Sequence, residues 1–145
     1  VAKGYPDFFG FSVFMQYGSF QRKAEDLNLV EDGDTETVLT IAGKGKLYFG
    51  QITLSGIDTP SLVTPIITID GAVFNLGTLF YLHNLGDMRG AAFPVSVFVY
   101  DTVYNVYALS MEGGITFVDS FSIAIENNDD LDCTVDAAIG WSEVI

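Results

Sequence analysis

Alternation of apolar and polar residues with period two is clearest towards the C-terminus. Across Ile115 to Ile125, the side chains of Ile115, Phe117, Phe121, Ile123 and Ile125 share one face, with Asp119 the single polar intruder. Thr116, Ser120, Ser122 and Glu126 fall on the other face, which predicts a half-buried strand. After the turn residues Asn127 to Asp130 the pattern repeats, with Cys133, Val135, Ala137, Ile139 and Trp141 facing one way. Val95 to Tyr100 is nearly continuous hydrophobe and predicts a strand buried on both faces, followed by another from Tyr104 to Met111. Further upstream, Phe8 to Tyr17, Thr37 to Ile41, Leu47 to Leu54 and Ile66 to Ile69 read as strands. Asp70-Gly71 is a hairpin signal, because both residues tolerate positive φ, and Ala72 to Phe74 is the returning strand.

Helix is scarce. Arg22 to Leu27 predicts about one helical turn and Leu76 to Asn84 another short piece, neither long enough to stand alone. Short strands at roughly ten-residue spacing, separated by turn residues, predict an all-β fold, an antiparallel β-sandwich of jelly-roll type. No repeat or linker divides the chain, so residues 1–145 are read as one domain, with 1–20 as an N-terminal arm or edge strand. The 145 residues are 49% hydrophobic and 17% charged, which fits a packed core and excludes a disordered chain.

Charge narrows the choice of partners. Six basic groups face nineteen acidic ones, a formal net charge of −13, so nucleic acid and anionic membrane surfaces are not expected partners. No apolar run approaches the ~18 residues of a membrane span, and Val1 to Asp7 lacks the shape of a secretory signal.

Candidate chemistry is thin. His83 is the only histidine and has no evident nucleophile beside it; no Gly-x-Ser-x-Gly elbow is present, so no catalytic residues are assigned. Cys133 keeps phase with Val135 and Ile139 and reads as a small core hydrophobe. One Cys and one His exclude a structural zinc site, and no cofactor motif is found. Gly43-Lys44-Gly45-Lys46 lacks phosphate-loop spacing and precedes a strand, so it reads as a β-turn whose Lys44 and Lys46 are candidate contacts to an acidic neighbour. Two acidic clusters, Glu31 to Glu36 and Asn127 to Asp132, read as solvated turns rather than metal sites, since neither has the twelve-residue EF-hand pattern. The aromatic-rich start, Tyr5, Phe8, Phe9, Phe11, Phe14, Tyr17 and Phe20, reads as packing within the sandwich or against a neighbouring subunit or, alternatively, as a sugar-stacking platform, with Tyr5, Phe8, Phe9 and Phe11 as candidate interface residues.

Three pieces, in order, resemble a module of virion proteins of tailed bacteriophages. They are Gly4 to Gly10 with the strand ending at Tyr17-Gly18; Val38 to Gly45 with its following strand and Ile66 to Gly71; and the closing pair Phe117 to Asn127 and Thr134 to Trp141. The resemblance implies a small β-sandwich on a phage particle, as a capsid decoration or a tail or fibre component. It transfers no catalytic residues. The expected function is therefore that of a non-enzymatic virion structural protein, partnered by copies of itself and by a capsid or tail protein. The alternative expectation is a carbohydrate- or receptor-binding module at a fibre tip.

Overall fold

The computed structural model describes residues 17–85 and 95–144. They form two antiparallel sheets. Ten strands follow one another: β1 (Tyr17–Val30), β2 (Thr35–Ala42), β3 (Gly45–Ser55), β4 (Val63–Ile69), β5 (Ala72–Asn75), β6 (Val95–Asp101), β7 (Val106–Met111), β8 (Thr116–Phe117), β9 (Ser120–Asn127) and β10 (Cys133–Val144). The larger sheet has the order β1-β10-β3-β7-β6, with β8 added beside the start of β3; the smaller has β2-β9-β4-β5. A 3-10 turn at Pro60–Leu62 and one helix, α1 (Leu79–Leu85), complete the elements of the described residues.

The predicted faces meet between the sheets. Phe121, Ile123 and Ile125 of β9 and Val135, Ile139 and Trp141 of β10 are buried, joined by Leu47, Ile52, Leu54 and Leu109. Chain crossings from one sheet to the other close this core. The Gly43-Lys44 turn is one of them: it carries the chain from β2 in the smaller sheet to β3 in the larger. Gly43 N–H is bonded to Asp119 O at 2.8 Å, and Lys44 O accepts from Val144 N–H at 2.8 Å. The Asp70-Gly71 hairpin forms as predicted, with φ of 52° and 85°, and pairs Ile69 with Ala72.

Three expectations change. Arg22 to Leu27 is strand, because β1 pairs with β10 along its length and gives those residues ladder hydrogen bonds that a six-residue helix cannot match. Val95 to Tyr100 is a half-buried edge strand: among the described residues β6 has no partner beyond it, and a bulge between Val97 and Val99 leaves Phe98 exposed. Ile115 to Ile125 is broken into β8 and β9 at Val118-Asp119, where the Asp70 carboxylate accepts the N–H groups of Val118, Asp119 and Ser120 at 2.7–3.1 Å. The polar intruder in the alternation marks that break.

Candidate interaction surface and acidic loop cluster

The outer face of the larger sheet carries an aromatic patch that a register irregularity creates. Phe49 lies opposite Gly140 and Leu47 opposite Trp141, so Tyr48 is the extra residue of a β-bulge. The bulge breaks alternation and turns two consecutive rings outward while Leu47 and Ile52 both stay in the core. Phe20 of β1 completes the group, its ring centroid 5.8 Å from Phe49 and 6.0 Å from Tyr48. Gly140 supplies the floor: a Cβ there would come within 2.5 Å of Phe20 and 2.6 Å of Phe49. Phe20 is 55% exposed, Phe49 46% and Tyr48 40%, a large apolar area for a surface whose other outward residues are mostly polar. Lys46 Nζ stands 5.9 Å from the Tyr48 ring centre, within cation–π range. A groove of about 510 Å³ continues from Phe49, with Arg22, Gln51 and Asp136 among the residues lining it.

Lys46 therefore adjoins the patch, and Lys44 is exposed on the turn before it. Tyr5, Phe8, Phe9 and Phe11 lie outside the described residues. The sequence places Phe20 in the aromatic start but gives no sign that it meets Tyr48 and Phe49. The usable signal was the Tyr48-Phe49 pair inside a strand, since two adjacent aromatics violate period two and imply a bulge. The sheet edges add further apolar surface, with Phe98 on β6 and Val73 and Phe74 on β5 exposed.

The opposite end of the sandwich is acidic. There the β1–β2 turn, the loop after β3 and the β9–β10 loop converge. Asn127, fully buried, is their hub: its Nδ2 donates to Val30 O at 3.1 Å and Leu131 O at 2.8 Å, and its Oδ1 accepts from Asp129 N–H at 3.0 Å. Asp32 N–H donates to the Asp132 carboxylate at 3.1 Å, so the two acidic clusters of the sequence are neighbours. Asp58 joins them from the loop after β3; its N–H donates to Asp129 Oδ2 at 3.2 Å. Carboxylate oxygens of Asp58, Asp129 and Asp130 all lie within 4.8 Å of one another. Asp129 is 2% exposed, and its second oxygen, Oδ1, has no hydrogen-bond donor. The hydroxyl of fully buried Tyr107 is also without a partner; burial raises its pKa, and repulsion from the neighbouring Tyr100 phenol as it ionises and from Asp101, Asp58 and Asp129 adds to the rise.

The remaining candidates have structural surroundings. Exposed His83 stacks on Tyr100 at 3.8 Å between ring centres and 6° between planes. Cys133 is buried, and loss of solvent is the main cause that pushes its thiol up to about 12.

No protein-family model and no curated protein matches the chain. Among solved structures, the crystal structure of FLHE is similar over 88% of this chain and 98% of its own, at 6% identity and a TM-score of 0.41. The capsid of Ralstonia phage GP4 is similar over 89% of this chain and 87% of its own, at 11% identity and a TM-score of 0.41. The structure of infectious bursal disease virus, Gx strain, is similar over 88% of this chain and 42% of its own, at 10% identity and a TM-score of 0.27.

Proposed function

We propose that this chain is a non-enzymatic virion structural protein, a sandwich that assembles with its own copies and with a capsid or tail protein of a phage particle. The observation that carries the reading is the Phe20–Tyr48–Phe49 patch, held outward by a bulge and a glycine floor. Two of its rings are phenylalanine, which offer area and no directional hydrogen bond, as a protein contact uses. Strand order adds support. With β6 and β8 set aside, the eight remaining strands run first-eighth-third-sixth in one sheet and second-seventh-fourth-fifth in the other, which supports a jelly-roll reading. Viral capsid domains use that architecture, although lectins do too.

Assembly is tested by the mass of the purified chain between about 1 and 200 μM, together with mass spectrometry of intact particles. Oligomers that weaken about tenfold or more in a Phe20→Ser/Phe49→Ser variant of unchanged fold are expected. A monomer at every concentration, absent from particles, overturns the proposal.

A second reading, glycan binding at a fibre tip, draws on the polar groove beside the same rings, with Arg22, Gln51 and Asp136. Glycan-array binding lost in the same variant, with no change of mass, would favour it over assembly.

A further inference from the structure

We propose that Asp58, Asp129 and Asp130 form a calcium site that clamps the loop after β3 to the β9–β10 loop. The inference is independent of the assembly reading. Sequence spacing alone favours solvated turns here, because Asp58 lies 71 residues before Asp129 and no local motif joins them. Folding brings their carboxylate oxygens within 4.8 Å of one another. That is the spread of oxygens around one ion at about 2.4 Å from each, the usual Ca–O distance.

The second observation is the orphaned oxygen. Asp129 is held by its neighbours on one side only: Oδ2 accepts from Asp58 N–H, whereas Oδ1 is buried with no donor, in a residue that is 2% exposed. A buried carboxylate oxygen without a partner carries a large desolvation penalty, which a cation offsets directly. Asp58 and Asp130 stand at the solvent side of the cluster, so an ion has an entry path and room to keep water ligands. The donors are all oxygen. The nearby Cys133 remains a protonated thiol, with its pKa pushed up to about 12, and supplies no soft ligand. An all-oxygen, carboxylate-rich set selects a hard divalent cation, and loose placement on two loops suits calcium better than the rigid octahedron of magnesium.

The test is titration of the full chain with calcium chloride at constant ionic strength, read by calorimetry and by thermal unfolding. Terbium luminescence sensitised through nearby tyrosine provides an independent readout. One ion per chain is expected, with a rise in Tm of about 5 °C at a hundredfold excess over Kd, reversed by chelator. Asp58→Asn and Asp129→Asn should each remove the calcium-dependent rise while the chain stays folded by circular dichroism. Tyr107→Phe should keep it. No heat and no Tm change at millimolar calcium overturns the site, as does a response that survives in both Asp variants. An equal response to magnesium overturns the calcium assignment.

Discussion

Single residues close the fold at points where backbone groups would otherwise lack partners. Asp70 shows how charge does this. Its carboxylate receives the N–H of Asp119, and also those of Val118 and Ser120, which hold its pKa below the ordinary 3.8. A depressed folded-state value means the stabilisation is complete above the ordinary value and is lost as pH falls through the folded one. Asp70→Asn, which keeps a residue tolerant of positive φ, should lower Tm at pH 7, with the gap to wild type closing below roughly pH 4. A gap that stays constant with pH would show that charge is not its cause. Asn127→Ala strands the carbonyls of Val30 and Leu131 at once and should cost about 2–4 kcal/mol in urea unfolding. Neither role was legible in the sequence beyond the turn propensity of Asp and Asn, because each depends on a partner far along the chain. Burial of Cys133 was legible, since it kept phase with its neighbours. Its thiol should react with a disulfide reagent at the rate of unfolding and no faster.

Elements show where local pattern is enough and where it is not. β9 alternates cleanly, as does β10 from Cys133 to Ile139, and those faces followed from period two alone. β1 was misread because its inward positions opposite Trp141, Ile139 and Ala137 are Gln21, Lys23 and Glu25, a pattern without an apolar face. Lys23 reaches across the edge to donate to Thr40 O at 2.8 Å, so the inward charge ties β1 to the other sheet. Residue type also failed to reveal that β6 is an edge, since strand order is a property of the whole sheet. Gly140→Val places side-chain atoms where Phe20 and Phe49 now rest and should displace both rings, costing about 1–3 kcal/mol. Quenching of ring contacts in NMR spectra between residues 20 and 49 would check it. Unchanged contacts would mean that Gly140 is not the floor of the patch.

At the scale of the molecule, the −13 charge is unevenly placed: acidic loops gather at one end, while Lys44 lies on a turn at the other. Raising sodium chloride from about 10 to 300 mM should therefore raise Tm by a few degrees through screening of the acidic end. A flat response would show that the repulsion is already relieved within the fold. The sandwich class was legible from strand spacing, whereas the meeting of Asp58 with Asp129 was not, since only the crossing of strands between sheets makes it. Strand order has a further consequence, for how the chain reaches this state. β10, made last among the described strands, lies between β1 and β3 and pairs with both. Until Cys133 to Val144 leave the ribosome, β1 and β3 each lack the neighbour they pair with here, so the larger sheet cannot close before then. Folding must then wait for contacts between the two ends of the described chain, which makes it slow in the manner of high-contact-order β proteins. Chains stalled before Cys133 would be the aggregation-prone species, with two strand edges open to one another.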